Sequence, residues 1–164
     1  MRITVTIEHD DDPDSVFAML ADPGFQELKC ERSGSHESEV VVDVEQDATT
    51  IVTRRQMSTR GFPDFVKGFV GEWVHVVETQ RWGPSDDTGL RTAAVTVEIP
   101  RTPVRFEGGI TLTPIASGTE HVVDGDLHAS VPIVGRKIEQ SVSKVVIRAI
   151  QLEGELSHEW RNPS

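Results

Sequence analysis

The stretch Ile133-Val134-Gly135-Arg136-Lys137-Ile138-Glu139-Gln140-Ser141-Val142-Ser143-Lys144-Val145-Val146-Ile147-Arg148-Ala149-Ile150-Gln151-Leu152-Glu153-Gly154-Glu155-Leu156-Ser157-His158-Glu159-Trp160 decides the fold. Stepped at about 100° per residue, Ile138, Val142, Val145, Ala149, Leu152, Leu156 and Trp160 fall within an arc of about 80°, which Val146 and Ile150 widen on one side. Lys137, Lys144 and Arg148 lie outside it. The pattern predicts a helix over residues 133–160, roughly 40 Å long. A helix with one narrow apolar stripe is not stable alone, so a sheet must lie against it. The stripe places Val142, Val145 and Ala149 on the concave face of that sheet, where Val145→Asp would cost several kcal/mol. Pro132 suits the first helical turn, and Gly135 within that turn marks close backbone packing or the approach of an anion to the free N–H groups, with the acidic surroundings favouring packing.

Upstream, the chain supplies the sheet. Residues 119–130, 90–99 and 72–82 read as strands. Residues 104–113 put Val104, Phe106, Ile110 and Leu112 on one face and Arg105, Glu107, Thr111 and Thr113 on the other. Residues 38–58 form a hairpin that turns near Gln46-Asp47, and residues 2–8 put Ile3, Val5 and Ile7 on one face of a first strand. Such alternation implies an antiparallel sheet with one wet face. Asp12-Pro13 and Asp22-Pro23 each combine an N-cap with a proline at the first helical position. Two short helices, carrying Val16, Phe17 and Leu20 and then Phe25 and Leu28, follow the first strand. Residues 61–71 interrupt the strands with Phe62, Phe65, Val66, Phe69 and Val70 at helical spacing. No linker or repeat breaks the pattern, so residues 1–164 read as one α+β domain.

Composition narrows the function. A formal charge of −11 on 164 residues repels phosphate backbones and anionic headgroups, which argues against nucleic-acid partners. No run reaches the roughly 18 apolar residues that span a bilayer, and the alternating N-terminus is not a signal peptide. A cytoplasmic protein without membrane insertion is expected. The lone Cys30 cannot form an internal disulfide and reads as a small half-buried side chain rather than a nucleophile, since Glu31 beside it would raise its pKa. None of the six histidines shows a metalloenzyme spacing. Asp124, Asp126 and His128 share a strand face but stand about 6.5–7 Å apart along it, too far to converge on one ion. No nucleophile elbow or phosphate loop is present, and no metal or cofactor is implied.

The order strand, two short helices, six strands, long helix resembles the START-like (SRPBCC) superfamily. The stretches Gly61-Phe62-Pro63-Asp64-Phe65-Val66, Gly71-Glu72-Trp73 and Ser130-Val131-Pro132-Ile133-Val134-Gly135-Arg136-Lys137-Ile138-Glu139 resemble a bacterial family of unknown function within it. The resemblance implies a helix-grip fold, a seven-stranded curved antiparallel sheet around the C-terminal helix. It also implies one of three roles: a non-catalytic carrier or sensor of a hydrophobic small molecule or lipid, an interaction or co-chaperone-like module with a filled core, or a cavity-based enzyme such as a cyclase. For the carrier, a cavity walled by Phe106, Ile110, Ile138, Val142 and Val145 is expected, with Phe62, Phe65 and Phe69 forming either a lid at its mouth or an aromatic plug. Placing Ile51, Thr53, Arg55 and Met57 on the inner face points Arg55 inward, where a guanidinium can grip a ligand carboxylate, unless it snorkels to water from the strand end. His75 is the other polar candidate, on a strand whose two faces are equally apolar, where a satisfied core histidine is the plainer reading. Oligomeric state does not follow from the residues.

Overall fold

Seven strands pair antiparallel throughout in the order β1-β7-β6-β5-β4-β3-β2. In chain order the elements are β1 (Arg2–His9), α1 (Pro13–Leu20), α2 (Pro23–Arg32), β2 (Glu37–Val44), β3 (Thr49–Ser58), α3 (Asp64–Val70), β4 (Trp73–Trp82), β5 (Arg91–Glu98), β6 (Val104–Ile115), β7 (Gly118–Ala129) and α4 (Gly135–Arg161). The computed structural model describes residues 1–164. This is the α+β helix-grip architecture that the element order implies.

Local chemistry accounts for the boundaries. The Asp12 carboxylate accepts from the Ser15 backbone N–H at 2.9 Å and starts α1, and that of Asp22 accepts from Gly24 at 2.8 Å and starts α2. Helix α4 begins at Gly135, not within the expected Pro132 turn. Pro132 and Ile133 belong to a preceding turn in which Ile133 takes φ 69° and is 99% exposed. The turn is tight because Gly135 donates to Val131 O at 2.9 Å and a Cβ on Gly135 would stand 2.3 Å from Ala129 O. Close packing at Gly135 is therefore real.

The core joins the inner face of the sheet to α1, α2 and both ends of α4, with Leu20, Phe25, Trp82, Leu112, Ile138 and Leu156 buried. Helix α4 packs on β1, β7 and α2. It comes so near β1 that a Cβ on Gly154 would stand 2.8 Å from Ile7 Cγ2. Its middle does not lie on the sheet as the apolar stripe predicts. Val145 is 39% exposed, and Val142 and Ala149 are only half-buried. The stripe faces inward, but across a gap rather than against side chains.

Gly108 and Gly125 pair across β6 and β7, and a Cβ on Gly125 would stand 2.5 Å from Glu107 O and 2.7 Å from Phe106 Cζ. Gly125→Ala is expected to cost about 3 kcal/mol, at the upper end of overpacking penalties, in urea unfolding. Gly68→Ala in α3, where a Cβ meets nothing within 4 Å, serves as the control and should be neutral or slightly stabilising. Equal effects from the two would remove the close strand approach from this account.

Candidate functional site

The gap between α4 and strands β3 to β7 is a cavity of about 440 Å³, and 21 of its 33 lining residues are hydrophobic. That volume is within the range of small-molecule sites. At roughly 30 Å³ per heavy atom, the share of one water in the liquid, it admits a guest of on the order of fifteen heavy atoms. One end is apolar, with Phe106, Leu127, Ile138 and Val142 on the lining. The other end is ionic. The helical rise from Ile138 to Glu153 along α4 separates the two ends by roughly 22 Å.

Four charged side chains make the ionic end. Lys29 from α2 donates to Glu78 Oε1 of β4 at 3.2 Å and to Glu153 Oε2 of α4 at 2.9 Å. Arg55 from β3 donates through Nη2 to Glu78 Oε2 at 3.0 Å. Gln80 Nε2 reaches Glu78 Oε1 at 2.8 Å, and Gln80 Oε1 in turn accepts from the Trp82 indole at 2.9 Å. Burial opposes ionisation of Lys29, but Glu153 and then Glu78 outweigh it and hold the ammonium above its ordinary range. Burial likewise pushes Glu78 up, yet Lys29 and Arg55 pull it down to about 2. Cys30, next to Lys29, is fully buried, and burial raises its thiol. Behind Glu153 the polar chain continues into the core. His121 Nε2 lies 3.8 Å from Glu153 Oε1, His121 Nδ1 lies 3.2 Å from His9 Nε2, and His9 Nδ1 lies 3.3 Å from Ser157 Oγ. Burial lowers both imidazoles, His9 to about 4 with help from its neighbour His121.

The profile of a family described as "Protein of unknown function (DUF2505)" matches residues 3–160. The chain belongs to that family. No curated protein matches it. Similar solved structures include norcoclaurine synthase from Thalictrum flavum, at 12% identity and TM-score 0.60 over 100% of this chain and 88% of that one. Zhui aromatase/cyclase from Streptomyces sp. R1128 aligns at 16% identity and TM-score 0.52 over 99% and 95% of the two chains. A STAR-related lipid transfer protein from Xanthomonas axonopodis aligns at 17% identity and TM-score 0.53 over 95% and 84%. Identities this low establish a shared START-like fold.

Within this DUF2505 chain the expected wall residues Phe106, Ile110, Ile138, Val142 and Val145 all line the cavity, as does Phe62. Phe65 and Phe69 do not. Each is 40% exposed, because α3 turns Val66 and Val70 inward, on the side where Phe62 stands just before the helix, and carries Phe65 and Phe69 outward. His75 is also misplaced by the sequence reading: Val74, Val76, Glu78 and Gln80 line the cavity, so odd positions of β4 face out and His75 is exposed. Arg55 points inward as its alternation implies, but it meets Glu78 instead of snorkelling to water. The sequence reading missed Lys29, Glu78, Gln80 and Glu153 altogether. No helix is long and apolar enough to cross a membrane.

Removing one charge of the quartet leaves an imbalance in the interior. Glu78→Gln is expected to cost about 3–5 kcal/mol. Adding Lys29→Met restores one cation against one carboxylate, so the double variant should lose clearly less than the sum of the two single losses. Strict additivity in urea unfolding would show that the pairing contributes nothing. The imidazoles set the acid side. His9 and His121 are neutral in the fold but take up protons in the unfolded chain near pH 6.5. Their contribution is present above about pH 6.5 and is lost as pH falls toward the folded value of about 4 for His9. The dependence of stability on pH between 6.5 and 5, above the carboxylate range, should flatten in His9→Asn; an unchanged slope would remove His9 from this account.

Proposed function

We propose that this DUF2505 protein binds a hydrophobic small molecule or lipid in the α4–sheet cavity, without catalysis. One observation carries the reading: an apolar volume of about 440 Å³ in the middle of the fold, bounded by the five wall residues that the element faces select. Apolar surface held open in this way is unfavourable until a guest covers it. A filled-core interaction module lacks the filled core on which it depends. Val66 and Val70 turn one face of α3 to the cavity, and Phe62 just before the helix joins them, which suits a lid.

A second reading, a cavity enzyme, is favoured by the convergence of Lys29, Arg55, Glu78 and Glu153 at one end. The protonation states of Lys29 and Glu78 argue against acid–base use of that pair. A lysine held charged is neither a base nor a nucleophile, and a carboxylate near 2 is not an acid at neutral pH. Lys29 and Glu78 therefore offer fixed charge.

Native mass spectrometry of protein purified without detergent should show an added mass that denaturation removes. An apolar fluorescent probe then maps the walls. Because Val145 faces a solvent-open gap, Val145→Asp should change stability by under about 1 kcal/mol, not several, while weakening probe binding about tenfold. Phe62→Ala should also weaken the probe, whereas Phe69→Ala should leave it unchanged. Probe binding that responds to Phe69 and ignores Val145 would relocate the site to the outer face of α3.

A further inference from the structure

We infer that the guest presents a neutral hydrogen-bond acceptor, a carbonyl or hydroxyl oxygen, to Arg55 at the ionic end, and that a carboxylate is disfavoured there. This rests on the binding reading above and names the ligand class. The Arg55 side chain is 6% exposed and lines the cavity. Nη2 is committed to Glu78, while Nη1, like the fully enclosed Nε–H, makes no hydrogen bond and leaves the guanidinium with uncommitted donors. A buried guanidinium N–H without an acceptor is an unfavourable state that an incoming oxygen relieves, and hydrogen bonds from a charged donor are the stronger kind. A hydrocarbon guest cannot supply that oxygen.

Charge closure decides which oxygen. Lys29 and Arg55 bring two cations, Glu78 and Glu153 two carboxylates, and each carboxylate already accepts from Lys29. A ligand carboxylate would be a third anion against two cations, among charged side chains that are themselves almost buried. A carbonyl or hydroxyl adds no charge. The exposed cations on the lining offer an anion little more. Arg32 is paired with Glu159, Arg148 with Glu155, and Arg105 with Glu98 and Glu107, which leaves Lys144 alone without a carboxylate partner.

Three probes of one skeleton separate the possibilities in direct titrations: 2-acetylnaphthalene, 2-ethylnaphthalene and 2-naphthoate. The ketone should bind about tenfold more tightly than either of the others, the effect of roughly one hydrogen bond to a charged donor. Arg55→Lys keeps a cation beside Glu78 but removes the guanidinium's uncommitted N–H groups, so the ketone's preference over the hydrocarbon should shrink to about twofold. Naphthoate binding as tightly as the ketone, or a preference that survives Arg55→Lys, overturns the inference and leaves the apolar cavity standing. Failure of all three probes to bind overturns the binding reading itself. Should Arg55→Lys not fold, the ranking in the parent protein decides alone.

Discussion

A straight helix and a curved sheet cannot touch along their whole length, and this mismatch organises the molecule. Helix α4 runs 27 residues, roughly 40 Å, against strands that bend around it. It settles on β1 and β7, where Gly154 admits Ile7, and buries Ile138 near one end and Leu156 near the other. Contact with one flank of the sheet leaves the other flank, β3 to β6, facing the helix across open space. The cavity is the remainder of that geometry. Its walls are apolar because the inner faces of strands and the inner stripe of α4 are apolar for the ordinary reason that they meet the core.

An apolar gap tends to close, since collapse restores lost van der Waals contact. The ionic end opposes closure. Lys29 must stay within hydrogen-bond reach of carboxylates on β4 and α4 at once, and Glu78 must also accept from β3. These bonds are directional where apolar contact is not, so they set the spacing of α2, β3, β4 and α4. Buried ion pairs are weak stabilisers beside well-packed hydrophobic side chains. Their contribution here is better described as geometric: they prop one end of the interior open at a defined width.

Alternation and helical periodicity expose which face of an element turns inward, and nearly all of the fold was legible on that basis. The inner faces of β3 and β6, the two capped helices and the stripe of α4 follow from it directly. Periodicity is silent on how far away the facing surface lies, which is why Val145 reads as core and stands at the edge of a cavity. On β4 both faces are apolar, so the parity that buries Glu78 and exposes His75 was not readable. In α3, the aromatic rings drew attention to Phe65 and Phe69, while the inward face was the one carrying Val66 and Val70. The ionic end did leave one trace. At 100° per residue Glu153 falls inside the arc that Val146 and Ile150 widen, a carboxylate on an apolar face as Glu139 is near its start. Such a residue needs a buried cation, and Lys29, one turn from Phe25 on the same face of α2, supplies it.

The electrostatics of the surface and of the interior point the same way. Outside, a net charge of −11 creates a field that slows the approach of anions and leaves neutral molecules unaffected. Inside, two cations and two carboxylates cancel, so the ionic end offers strong local dipoles with no net charge to attract an ion. A site built to capture anions would place unpaired cations along the guest's path, and here three of the four exposed cations on the lining already hold carboxylates. Of all the cations that line the cavity, only Lys144 lacks such a partner. What reaches the interior without penalty is a molecule that is uncharged, largely apolar and of a size set by the distance between a helix and the sheet it cannot fully touch.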